Sequence, residues 1–354
     1  MGTHFVVKAL IFCLTASTAT GTGHLMRCLA LAQVAEKAQL PVHFVINAEA
    51  KGIALSRHDW VYPITLWPED AQEHEIVQIV NRVGSQYNNY VVVLDSYNFS
   101  LPLAQDIAEL STLLVVIDDG QNTLVSAAHI VVNPVTKRHD EAYKASNSQV
   151  ICCTGSSYRM MRKEFYDMLW KHDNMRVGVV ICIGGSDPRA ITPRLLNALE
   201  SAGMQHPVRV VTGAAVENMA QLNAVFPALS FPCQHIQNCQ DMADVWGSAK
   251  LAISAAGGSV YELGLCRTPS MLMVIADNQR EAAEQCQRQG WAKVFTPSAE
   301  PAFFSNLALD VINLLNNQVE LDNMQKAIPT DIDAHGAFRV FDKISERYQE
   351  VFND

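Results

Sequence analysis

The chain has 354 residues, more than the ~250 to 300 over which a single hydrophobic core usually grows, so two domains are expected. Hydrophobic residues at 49% can fill both cores, and charged residues at 18% are too few for a disordered or nucleic-acid-coating chain. A formal net charge of -10 argues against nucleic acid or an anionic membrane as the main partner, since both reward clustered Lys and Arg.

Residues 5–14 form an apolar run that reads as a buried parallel strand, and 25–38 carries helical apolar spacing. Gly21-Thr22-Gly23-His24 stands between them, giving strand, glycine turn, helix. Such a turn brings main-chain N-H groups and the positive end of the helix to a ligand. A histidine at that end is biased toward its neutral, proton-accepting form, so His24 is a candidate base. Taken alone, the glycines are also ordinary turn chemistry and His24 an ordinary capping residue. The run at 5–16 followed by Ser17-Thr18-Ala19-Thr20 also resembles a short signal peptide. Its tip lacks basic residues and Lys8 interrupts it, so a strand is expected and no leader.

Further along, strands are expected at 42–46 and 60–66, a helix at 69–83, and a strand at 90–94 ending in Asp95-Ser96-Tyr97. A helix at 102–110 leads to a strand at 113–117 ending in Asp118-Asp119-Gly120. A strand at 150–153 precedes Gly155-Ser156-Ser157-Tyr158, read as helical from about Tyr158. Continuous apolar strands separated by amphipathic helices imply a parallel sheet covered on both faces, with ligands at the carboxyl ends of its strands. His24, Tyr97, Asp118 and Asp119 all fall at such ends.

The polar segment 171–175 is the expected boundary, giving an N-terminal domain over 1–170 and a C-terminal domain over 176–354. In the second half the pattern restarts with a strand at 177–183, Gly184-Gly185-Ser186-Asp187-Pro188 and a helix at 193–201. Strands at 208–211, 251–254 and 271–275, a helix at 242–247 and two closing helices at 303–315 and 338–352 follow. Gly257-Gly258-Ser259 runs from a strand into a helix, again a phosphate cradle. Glu262, about one turn in, could accept two hydrogen bonds from a ribose diol, or could be an exposed acid on a capped helix. Asp277-Asn278-Gln279 offers amides suited to sugar hydroxyls and N-acetyl groups, although turn chemistry also selects Asp-Asn.

The nine cysteines include no C-x-x-C pair and no zinc-like cluster, which fits buried free thiols in a reducing cytoplasm. No run approaches the ~20 apolar residues of a membrane span.

The order and spacing of these motifs resemble one family. They are Gly21-Thr22-Gly23-His24 with Arg27, Asp95-Ser96-Tyr97, Ile117-Asp118-Asp119, Asn133, Gly155 with Tyr158 and Arg162, Gly184 to Pro188, Gly257-Gly258-Ser259 with Glu262, and Asn278-Gln279. Together they look like the GT-B architecture, two Rossmann-like doubly wound α/β domains facing across a cleft. Within it they look like the PseG-type UDP-2,4-diacetamido-2,4,6-trideoxy-beta-L-altropyranose hydrolases of pseudaminic acid biosynthesis. The resemblance implies hydrolysis of a UDP-sugar at its anomeric carbon with inversion, without metal or other cofactor. His24 inherits the essential catalytic role. Gly23, Arg27, Tyr97, Tyr158, Gly257, Gly258, Ser259, Glu262, Asn278 and Gln279 inherit contacts to substrate. A GT-B glycosyltransferase using a UDP-sugar donor and a nucleotide-sugar binding module without turnover are the alternative readings. The expected partner is the small-molecule UDP-sugar, with no nucleic acid and no membrane insertion, and a monomer is compatible with the sequence.

Overall fold

The computed structural model of the chain describes residues 7–17, 22–167, 176–185, 187, 189–213, 219–300 and 302–353. The chain divides into two compact units, Met1–Tyr166 with Asp333–Asp354, and Asp167–Ile332. The boundary segment expected at 171–175 lies outside the described residues.

The first unit is built on seven parallel strands: β1 (Ala9–Leu14), β2 (Val42–Ile46), β3 (Ile64–Leu66), β4 (Tyr90–Asp95), β5 (Leu113–Ile117), β6 (Ile130–Asn133) and β7 (Ile151–Thr154). Their order across the sheet is β3-β2-β1-β4-β5-β6-β7. β1 shows why the run is apolar without alternation. Leu10, Phe12 and Leu14 pack into one core with the helix Gly23–Lys37. Ala9, Ile11 and Cys13 pack into the other, with the helices Glu73–Gly84 and Leu101–Leu110. A parallel strand buried on both faces needs apolar residues at every position.

The second unit repeats this with six parallel strands: β8 (Val179–Cys182), β9 (Val208–Thr212), β10 (Cys233–Gln237), β11 (Leu251–Ala255), β12 (Ser270–Met273) and β13 (Ala292–Phe295). The order is β10-β9-β8-β11-β12-β13. Its core joins Ile181, Val210, Ile253 and Met271 to the helices Ile191–Ser201, Ala302–Leu315 and Gln318–Ala327. In both sheets the order reverses once, between β1 and β4 and between β8 and β11. Such a reversal opens a crevice at the carboxyl ends of the two strands.

Several elements lack the signal that sequence patterning needs. β10, read Cys-Gln-His-Ile-Gln, is a half-exposed edge strand with polar residues interleaved. β6 and β13 have only four residues each. The strand expected over 60–66 shrinks to β3, because Pro63 precedes it and the Trp60 indole donates to the Tyr62 carbonyl at 2.9 Å in a local turn. The helix expected from Tyr158 is instead a 3-10 turn, Ser156–Tyr158, and a short helix, Lys163–Tyr166. Met160, Met161 and Arg162, consecutive residues between them, are all buried, which one face of a helix cannot do.

The last helix, Gly336–Asn353, was expected to close the C-terminal domain and belongs instead to the first unit. Ala337, Val340, Ile344 and Tyr348 enter the core beneath β1. Chain order points to the nearer domain, and burial of this apolar face corrects it. Among the described residues no helix is long and apolar enough to cross a membrane.

Candidate active site

His24 is the second residue of the helix that follows β1, at the reversal of the first sheet. The register pairs Leu14 of β1 with Asp95 of β4. The segment beyond β1 is pinned from both sides: Thr15 Oγ1 lies 2.7 Å from Ser96 Oγ, and the Asn47 amide exchanges two hydrogen bonds with the Ala16 backbone, at 3.2 and 3.1 Å. The Thr15 carbonyl held in this way lies 3.2 Å from His24 Nδ1. A carbonyl only accepts, so Nδ1 carries the proton and Nε2 is the basic nitrogen of the neutral ring. Among the described residues Nε2 has no hydrogen-bond partner.

Asp95, 1% exposed, stands beneath the histidine with Oδ1 3.8 Å from Nδ1. Arg27, one turn along the helix, grips it with two donors, Nε to Oδ2 at 2.6 Å and Nη2 to Oδ1 at 2.5 Å. A third, Nη1, reaches Asp119 Oδ1 at 2.8 Å. Burial opposes the charge on Arg27, but Asp95 and Asp119 outweigh it and hold the guanidinium protonated well above its ordinary range. Burial likewise opposes the charge on Asp119, and Arg27 keeps its carboxyl below the usual carboxylate range. Tyr97 completes the group: its hydroxyl donates to Asp119 Oδ2 at 2.6 Å and its ring meets the imidazole edge-on, centroids 4.6 Å apart.

The structure thus brings His24, Arg27 and Tyr97 together, and adds Asp95 and Asp119 as the acids that join them. Both acids stand at strand ends in the sequence, and that placement is the signal that marks them. Arg27, expected to touch substrate, spends three donors inside the protein. Asp118 also turns inward. Its carboxylate accepts from the backbone of Gly120 at 2.7 Å and Asn122 at 3.1 Å, and from the buried Tyr143 hydroxyl at 2.6 Å. Asn133 donates to the same hydroxyl at 2.8 Å. Gly23 opens the helix without a left-handed backbone, and a Cβ there would meet nothing within 4 Å. Its partner Gly21 lies outside the described residues.

Tyr158 follows β7, four strands from β1 in the order of the sheet. Its ring packs on the core shared with the terminal helix. Arg162 beside it is paired with Glu164 at 2.7 Å.

In the second unit, Gly257 and Gly258 lie between β11 and the helix Ser259–Leu265, at the second reversal. Neither has the left-handed backbone that favours glycine, and Gly258 faces open space. A Cβ on Gly257 would lie 3.6 Å from Gln279 Nε2. Gln279 is held there because its Oε1 accepts from Ile275 N at 3.1 Å, closing the turn after β12. Glu262 is oriented by the buried Trp246, whose indole donates to Oε2 at 3.0 Å. Burial first, and the charge of Glu262 second, push the Cys182 thiol at the end of β8 up to about 12. Glu262, Gly257 and Gln279 therefore gather at one end of the second sheet. Asn278 falls in the turn Asp277–Gln279. Of the loop after β8, Ser186 and Pro188 lie outside the described residues, and Asp187 caps the next helix through Ile191 N at 2.9 Å and Thr192 N at 2.8 Å. A groove of about 590 Å³ lined by Val177, Pro207, Arg209, Pro232 and Ser248 opens at the amino ends of β8 to β10, opposite these residues.

Comparisons with known proteins bear on the fold. MurG of Acinetobacter baumannii aligns with 96% of this chain and 99% of its own at a TM-score of 0.61 and 15% identity. The fold is MurG-like, of the GT-B class. UDP-GlcNAc 2-epimerase from Neisseria meningitidis bound to UDP-GlcNAc is similar over 95% of this chain and 100% of its own, with a TM-score of 0.59 and 11% identity. Anabaena HepE in complex with UDP is similar over 95% and 99%, with a TM-score of 0.56 and 14% identity. No family model matches the chain. The uncharacterized protein MJ1062 of Methanocaldococcus jannaschii is 26% identical over 200 residues, which span 54% of this chain and 41% of that protein.

Proposed function

We propose that the protein hydrolyses a UDP-linked diacetamido-trideoxy sugar to the free sugar and UDP, with inversion at the anomeric carbon, as a PseG-type enzyme of pseudaminic acid biosynthesis. The observation that carries this reading is the His24 Nδ1 placed 3.2 Å from the Thr15 carbonyl, which leaves Nε2 to act as the proton acceptor of a neutral ring. That is the state a general base must be in before reaction.

In this scheme Nε2 takes a proton from water as the water oxygen bonds to the anomeric carbon. The bond from that carbon to the diphosphate oxygen breaks, and UDP leaves as an anion with the electron pair. A single displacement inverts the centre. Asp95 Oδ1 stands 3.8 Å from Nδ1, on the side of the ring away from this proton transfer. The first unit takes the sugar, with Tyr97 against it. The second takes the nucleotide, with Gly257-Gly258-Ser259 at the diphosphate, Glu262 at the ribose, and Asn278 or Gln279 at the sugar amides. Two solved relatives of the same fold that carry UDP or UDP-GlcNAc support a nucleotide-sugar ligand.

The test is UDP release from UDP-2,4-diacetamido-2,4,6-trideoxyhexoses. Removing a general base typically costs ~10²- to 10⁴-fold in kcat, so His24→Ala should lose that much while still binding UDP. A folded His24→Ala protein that releases UDP at the normal rate sinks the proposal. Reaction in heavy-oxygen water should place the label in the sugar, since label in UDP would mean attack at phosphorus. A new glycoside among the products would establish the glycosyltransferase instead, and no release with any UDP-sugar the binding module.

A further inference from the structure

The Tyr97 hydroxyl lies 2.6 Å from one oxygen of Asp119, and the other oxygen of that carboxylate accepts from Arg27 at 2.8 Å. An ionised carboxylate has no proton to give, so the phenol must donate. The direction of this one hydrogen bond is therefore fixed by the ion pair behind it. Tyr97 is 43% exposed and stands edge-on to His24. What it presents outward is the remaining lone-pair density of its oxygen, with the proton turned inward. Burial first, and the charge of Asp119 second, keep the phenol from ionising until well above its ordinary range. Tyr97 can thus neither protonate a leaving group nor act as a base.

We propose that Arg27 and Asp119 make Tyr97 an obligate hydrogen-bond acceptor beside His24, which selects a sugar bearing an N-H or O-H donor at that position. An acetamido N-H is the donor that suits the substrate class proposed above, and the inference rests on that reading. Asp119 touches no substrate in this scheme and is a positioning residue. A donor-poor group placed there would face lone pair against lone pair, which is how a polar site rejects a ligand of the right size.

Asp119→Asn tests the device with little change of shape. Its amide oxygen can still accept from Arg27, but its amide nitrogen then donates to the Tyr97 oxygen and the phenol proton turns outward. Ultraviolet difference titration, with Tyr97→Phe to assign the signal, should bring the Tyr97 phenol down toward the ordinary value of about 10 in Asp119→Asn. An unmoved phenol overturns the proposal. Binding is read in a His24→Ala background, which keeps the sugar intact. There Tyr97→Phe and Asp119→Asn should each weaken a UDP-diacetamido-trideoxyhexose ~10-fold, the worth of one hydrogen bond, and leave UDP alone unchanged. Sugar binding that is unaffected, or weakened only in step with UDP, overturns the proposal. The hydrolase reading fails on a different measurement, normal UDP release by the His24→Ala background itself.

Discussion

Asp95 is 1% exposed and takes two N-H donors from Arg27, so neither residue can be changed without leaving the other buried with its charge. Breaking such a pair from one side costs ~3–5 kcal/mol, because the orphaned ion keeps its desolvation penalty. Arg27→Met should therefore lower the unfolding free energy of the first unit, read by urea titration, by that much, and Arg27→Lys by somewhat less, since an ammonium cannot reproduce the fork that spans Asp95 and Asp119. A loss below ~1 kcal/mol for Arg27→Met would show that the cluster is solvated and adaptable. The place of His24 after the first strand was legible in the sequence, because strand, glycine turn and helix are local patterns. Its basic nitrogen was not. That depends on the Thr15 carbonyl, nine residues earlier, which is fixed only because Ser96 and Asn47 hold the segment from neighbouring strands.

At the scale of elements, the terminal helix gives the sharpest test. A Cβ on Gly336 would lie 2.0 Å from the Arg159 carbonyl oxygen and 2.6 Å from its nitrogen, backbone atoms that cannot swing aside. Arg339 holds the same loop, donating to the Ser157 carbonyl at 2.8 Å and to Asp333 at 2.8 and 2.6 Å. Overpacking of this kind costs ~1–3 kcal/mol or more. Gly336→Ala should lower the thermal midpoint and make the terminal helix the first site of limited proteolysis, and an unchanged protease pattern would mean that the helix shifts at no cost. The Gly155-Ser156-Ser157-Tyr158 turn, read from the sequence with the substrate residues, is the socket of this helix. A motif match cannot separate the two roles, because a loop that seats a helix and one that seats a ligand use the same small residues.

For the whole molecule, each unit has its own core, but one is completed from the far end of the chain. Ala337, Val340, Ile344 and Tyr348 are at most 1% exposed within the first unit. Losing Ile344 and Tyr348 alone should cost ~5 kcal/mol or more, comparable with the ~5–15 kcal/mol that stabilises a whole domain. A chain ending at Ile332 should therefore lose the calorimetric transition of the first unit and keep that of the second. Two transitions unchanged from the full chain would contradict this. The sequence by itself determined the two parallel sheets, the strand ends where polar side chains gather and the two glycine turns, because hydrophobic periodicity and turn chemistry act over a few residues. The tertiary structure alone decided which acids meet Arg27, which nitrogen of His24 faces the Thr15 carbonyl, that Tyr158 packs on the core shared with the last helix, and which unit owns that helix. Those outcomes depend on register and on the burial of faces brought together from distant parts of the chain, and no local pattern records them.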